Sequence, residues 1–279
     1  MARFSRVFRF GDQLWDPSHR FETSWLLPPW VLFAARAAIS LYAFVVLLFI
    51  IGWEYTRPAY GGVAGVQLSF SFFTVLCYWG LSFYFLVAAI HTFSYALHGG
   101  TPLLNRFPRP LQALHHLFYT TITTFPFLVT IVYWGVLFSG PWFPLRFNAW
   151  SNISEHAMNS GFALFEISMT RVNPPPWIHL LWLILILCCY LGLAYLTHYT
   201  KGIYVYSFLD PSNGHKGRVV GYVFGIAAAI IIIFSIVKGL IHLRKLVTEK
   251  KMGRTGKFYG GRGLGTAEIE LETQRVWEK

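Results

Sequence analysis

Between Trp25 and Leu246 the chain is a succession of long apolar runs separated by short polar stretches, with acidic residues almost absent from the runs. Several apolar stretches of roughly 20 residues cannot be hidden inside a water-soluble fold of this size, so a bilayer must be the solvent. Composition agrees. Only 13% of the 279 residues are charged, about half the share of an ordinary soluble domain. The expected architecture is all-α, an integral membrane bundle of about six transmembrane helices.

Prolines, glycines and interfacial aromatics mark the boundaries. Span one is read from Trp30 to Trp53, after Pro28 and Pro29, and span two from Leu68 to Ala96. Span three runs from Leu111 to Phe138 with Pro126 inside it. Span four, the least apolar, covers Trp150 to Thr170, and Pro174, Pro175 and Pro176 form a stiff connection to span five at Trp177–Thr200. Span six is read from Gly217 to Leu246. Three regions follow: a basic segment 1–29, a membrane domain 30–246 and a charged, Gly-rich, disordered tail 247–279.

The formal charge of +11 reflects orientation rather than a nucleic-acid surface. Ten of the 23 Lys and Arg lie at or after Lys238, and Arg3, Arg6, Arg9 and Arg20 precede the first span. Basic residues flanking apolar spans mark cytoplasmic ends and suit anionic headgroups. Both termini are therefore expected in the cytoplasm. The endoplasmic reticulum is the default membrane, with the plasma membrane as the alternative.

Cys77, Cys188 and Cys189 fall within apolar runs and read as buried small hydrophobes. No zinc spacing, P-loop, HExxH or GxGxxG is present, so neither a metal nor a cofactor is expected. Polar residues within the spans carry more information, because each needs a reason in hydrocarbon. Glu166 is the only acid well inside a span, and Arg36 lies at a comparable depth in span one. Either the two pair, or Arg36 reaches the headgroups while Glu166 is protonated. Asn152, His156 and Asn159 put a polar stripe on span four. Gly217, Gly221 and Gly225 form a small-residue strip on span six, suited to packing within the bundle or to a homodimer.

Three segments carry a resemblance. Span two begins Leu68-Ser-Phe-Ser-Phe-Phe-Thr74. Span four reads Trp150-Ser-Asn152-Ile-Ser-Glu-His156, with Glu166 ten residues on. Span five closes with His198-Tyr-Thr-Lys-Gly202-Ile-Tyr-Val-Tyr206-Ser-Phe-Leu. Over roughly Leu68 to Leu246 the chain resembles the androgen-induced gene family of multispan membrane proteins, departing at Ile153, where that family commonly has His. The resemblance implies an intramembrane hydrolase of fatty acid esters of hydroxy fatty acids, with a Thr nucleophile and a His. The matching positions are Thr74 and His156.

With span two starting at Leu68 and span four at Trp150, each residue lies six positions into its helix. At 1.5 Å per residue the two share a depth of about 9 Å in one leaflet. Asn152, Asn159 and Tyr78 are candidate oxyanion donors, while His198 and Glu166 are further supporting candidates. The expected partner is a membrane lipid or acyl ester. Two other readings stand beside this one: a non-catalytic scaffold or carrier of the same fold, and a haem electron carrier pairing His91 with His116 and His156 with His198.

Overall fold

A computed structural model describes residues 15–99, 102–212 and 216–261 of the chain. Among them there is no β-strand, and the order is α1 (Pro29–Tyr55), α2 (Gly62–Ser69), α3 (Phe73–His98), α4 (Leu103–Arg106), α5 (Arg109–Val132), α6 (Arg146–Ile153), α7 (Asn159–Met169), α8 (Ile178–Lys201) and α9 (Lys216–Lys245). Among the described residues, five helices are long and apolar enough to cross a membrane: α1, α3, α5 with its π-helical extension to Leu137, α8, and α9 extended to Lys251. A π-helical turn, Ser154–Met158, joins α6 to α7 in a broken rod. That rod stretches from Phe147, stacked on Trp53 at the end of α1 (centroids 4.4 Å apart), to Thr170, bridged to Ser24 just before α1.

The tightest seam joins α1 to α3. Residues Leu32, Arg36, Ser40, Ala43 and Leu47 are buried at steps of four and three along α1, the spacing that keeps one helical face toward a partner. Opposite them, α3 buries Ser82, Ala88, Ala89, Thr92 and Ala96. Small side chains let the backbones approach without a large apolar contact, and the Ser40 hydroxyl donates to the Ser82 carbonyl at 3.0 Å.

Span two differs from its sequence reading. The helix expected from Leu68 is broken at residues 70–72, and Phe72 is extended (φ −87°, ψ 131°) before α3 restarts at Phe73. No glycine or proline occurs there. The break is held from α8 and the segment after it. Tyr190 Oη donates to the Ser71 carbonyl at 3.0 Å, Thr197 donates to the Ser71 hydroxyl at 3.0 Å, and the Phe73 amide donates to the hydroxyls of Tyr190 and Tyr206, each at 3.2 Å.

At the opposite end of the bundle, the segment before α1 is tucked under the helices. Glu22, Thr23 and Ser24 are wholly buried. Ser24 bridges both Thr170 and Lys257, and Arg20 donates two hydrogen bonds to the Glu249 carboxylate (3.0 and 2.9 Å) and a third to the Arg171 carbonyl (2.8 Å). Asn105 reaches the backbone of Asp16. The segment before α1 and the residues after α9, the two ends that the charge pattern assigns to one side, thus meet at one end of the bundle.

Residues 247–261, expected within a disordered tail, continue the π turn that starts at Leu246 and form a loop seated on this end. Gly256 (φ +132°) needs its missing side chain there, since a Cβ would lie 2.8 Å from Arg171, and Gly99 (φ +60°) likewise admits the ring of Tyr259. Arg3, Arg6, Arg9 and the remainder of the tail lie outside the described residues.

The Gly217, Gly221 and Gly225 strip is not packed within the bundle. A Cβ added at any of the three meets nothing within 4 Å.

Candidate functional site

Because α3 starts at Phe73, Thr74 is the second residue of a helix rather than the seventh. The first amides of a helix have no carbonyl four residues back, and the aligned peptide dipoles leave partial positive charge there. The Thr74 hydroxyl thus sits in a first turn that favours negative charge. The equal-depth estimate fails, since α6 starts at Arg146 and puts His156 ten residues beyond a helix start. Contacts, not helix starts, bring the two regions together.

Half-buried Thr74 lines an apolar cavity of about 130 Å³ between α3, α5, α8 and α9. Tyr133, Tyr190, Tyr206, Cys188 and Phe208 are among its walls. The signature after α8 explains three of them: Gly202 (φ +72°) caps α8, and the chain then turns back so that Tyr206, Phe208 and Leu209 close the cavity. Burial pushes the Tyr206 phenol up, while hydrogen bonding with Tyr190, the Phe73 amide and Thr74 pulls it back.

His156 is buried in the π-helical turn, a local widening often found at functional sites. Its Nδ1 lies 3.0 Å from the Asn152 carbonyl. A carbonyl can only accept, so Nδ1 carries the proton and Nε2 presents a lone pair. A backbone carbonyl thereby does the orienting that the sequence assigned to no residue. The ring of Tyr133 stacks on His156 at 3.5 Å between centroids, and its hydroxyl donates to Asn152 Oδ1. The indole of Trp134 donates to the His156 carbonyl at 3.0 Å.

Tyr133 is shared. It walls the Thr74 cavity on one side and stacks on His156 on the other, and no hydrogen bond joins Thr74 directly to His156. The other expected residues lie apart from the cavity lining. Asn159 Oδ1 accepts from Thr130 and from the Ser160 amide, and Tyr78 is buried in the core. His198 stacks on Tyr204 at 3.7 Å. Glu166 is paired with both Nε and Nη2 of Arg36 and accepts from Tyr84 at 2.9 Å, in a fully buried network. Of the two readings of Arg36 and Glu166, the structure makes the pair.

Elsewhere the histidines pack on one another, His91 against His115 and His116 against His179, with centroids 5.1 and 4.9 Å apart. Tyr133, Tyr190 and Tyr206, which line the candidate cavity, are not among the site residues that the sequence singles out. Their signal was a phenol inside or beside an apolar run, where a hydroxyl needs a partner. No family model, curated protein or solved structure matches this chain.

Proposed function

We propose that this protein is an intramembrane carboxylic ester hydrolase in which Thr74 is the nucleophile and His156 the base. The observation that carries the reading is the position of Thr74: a hydroxyl in the first turn of a long helix, facing an apolar cavity walled by the tyrosine that stacks on His156. The family resemblance supplies the substrate class, fatty acid esters of hydroxy fatty acids. In this reading the broken rod α6–α7 is a sixth crossing, both termini are cytoplasmic, and the protein resides in the endoplasmic reticulum.

His156 Nε2 removes the Thr74 proton as Oγ1 attacks the ester carbonyl. The tetrahedral oxyanion is stabilised by the Thr74 and Val75 amides in the first turn of α3 and by the Tyr206 hydroxyl. The carbon–oxygen bond to the alcohol then breaks, and the imidazolium protonates the departing alkoxide. Water, activated by the same Nε2, cleaves acyl-Thr74 to release the acid. Catalytic hydrogen bonds commonly tighten only with substrate in place.

The missing direct bond is what favours the second reading, a non-catalytic lipid carrier. Hydrolysis of a branched fatty acid ester by membranes containing wild type, Thr74→Ala or His156→Ala at matched expression separates the two. Under the hydrolase reading Thr74→Ala abolishes turnover and His156→Ala lowers it by roughly 10²–10⁴-fold. Equal rates in all three, or no rate in wild type across several acyl esters, leave the carrier.

A further inference from the structure

A second cavity, of about 360 Å³, lies between α3, α5 and α8. It shares two walls with the first, Phe73 and Tyr190, the pair whose backbone and side chain meet in the hydrogen bond that starts α3. The adjacent cysteines divide between the two spaces: Cys188 faces the first cavity and Cys189 the second. Each cavity therefore abuts the residue next to Thr74, one on either side of a two-residue partition.

Two residues of its wall are poor helix formers. Pro126 stands in its wall and cannot donate to the carbonyl four residues earlier. Gly80 is a helix-weakening residue in the interior of α3. Neither backbone conformation nor crowding requires it, because its φ is not positive and a Cβ there would meet only the edge of Phe118, at 3.9 Å. What Gly80 keeps is room. Along α3 the lining residues Phe73, Leu76, Cys77 and Gly80 follow one helical face for about 10 Å, and the volume falls within the range of pockets that enclose small ligands.

We propose that this second cavity is a hydrocarbon subsite for the long acyl chain of the ester, with Gly80 setting the chain length accepted. It rests on the hydrolase reading for its reaction but not for its geometry. An acyl chain leaving the carbonyl at Thr74 crosses the Phe73–Tyr190 partition and lies along α3 toward Gly80. Each methylene buried there adds to affinity, so filling the cavity selects against long chains and spares short ones.

The test uses full-length Gly80→Leu and wild type in bilayers, with p-nitrophenyl esters from butyrate to palmitate. The expected result is palmitate hydrolysis reduced roughly tenfold or more while butyrate hydrolysis is kept. Both falling together, or neither falling, overturns the proposal. A second measurement needs no turnover. An octanoyl ester carrying a terminal diazirine is photolysed with the Thr74→Ala protein, alone and combined with Gly80→Leu. Label around Cys77 and Cys189 that disappears with Gly80→Leu supports the subsite. Label spread over lipid-facing residues and unchanged by Gly80→Leu overturns it. Labelling as expected, together with a wild type that hydrolyses none of the esters, would refute the Thr74 mechanism and leave the chain site standing.

Discussion

The two ends of this bundle solve opposite problems with different residue types. Where the segment before α1 meets the tail, charged groups are buried and interlocked: Arg20 with Glu249 and Arg171, and Arg36 with Glu166 and Thr92. Around Thr74 charge is absent from the walls, the polar groups are hydroxyls, and two cavities remain. A buried ion pair is costly to desolvate and more costly to break singly, so the first end is committed to one arrangement. Neutral hydroxyls in an apolar wall are cheaper to rearrange, which a site that admits a lipid chain needs.

The comparison breaks most sharply at Glu166. Glu166→Ala leaves the Arg36 guanidinium buried and unpaired, at a cost of about 3–5 kcal/mol. Replacing both, Arg36→Met with Glu166→Leu, restores most of it. Thermal unfolding in one detergent is the check. Equal losses in the single and double variants would mean the pair is not the unit of stability at that end.

At the other end the expected effect is on rate. Tyr206→Phe keeps the ring against Phe72 and Phe208 but removes the hydroxyl that meets the Phe73 amide and Thr74. Under the hydrolase reading kcat falls about 10²-fold, as for loss of one oxyanion donor, with KM little changed and the unfolding midpoint nearly so. A large drop in stability with the specific activity unchanged would instead make Tyr206 a strut for the break at residues 70–72.

The same contrast governs what could be read from the sequence. The five long apolar helices were legible because continuous hydrophobicity over helix-spanning lengths has few other meanings in a chain this poor in charge. Arg36 and Glu166 were legible as a pair to be weighed, since ionisable groups in a span invite a partner. The start of α3 was not. Residues 68–77 contain neither Gly nor Pro, and the break depends on Tyr190, Thr197 and Tyr206, more than a hundred positions away. The ordering of residues 247–261 was hidden for a similar reason. A Gly-rich, basic stretch reads as disordered by composition, yet Gly99 and Gly256 admit it because they lack side chains. The carbonyl that orients His156 carries no sequence signature, since every residue has one.

The smallest effect expected is also the one whose sign distinguishes the ends by pH. Glu22, wholly buried in the segment beneath the bundle, has its carboxyl held well above the ordinary value near 4.5, first by burial and then by neighbouring Asp16, with Arg36 pulling the other way. The folded state thus holds the Glu22 proton more tightly than the unfolded chain does. Its stability is fully present below the unfolded pKa and is lost progressively as pH rises through the folded value. Glu22→Gln, which cannot ionise, should leave stability near wild type in acid and raise it increasingly above wild type as pH increases. Thermal unfolding of the two proteins as a function of pH reads this directly. Parallel curves would show that the Glu22 proton is not linked to folding, and that this end is locked by Arg20, Arg36 and Arg171 alone.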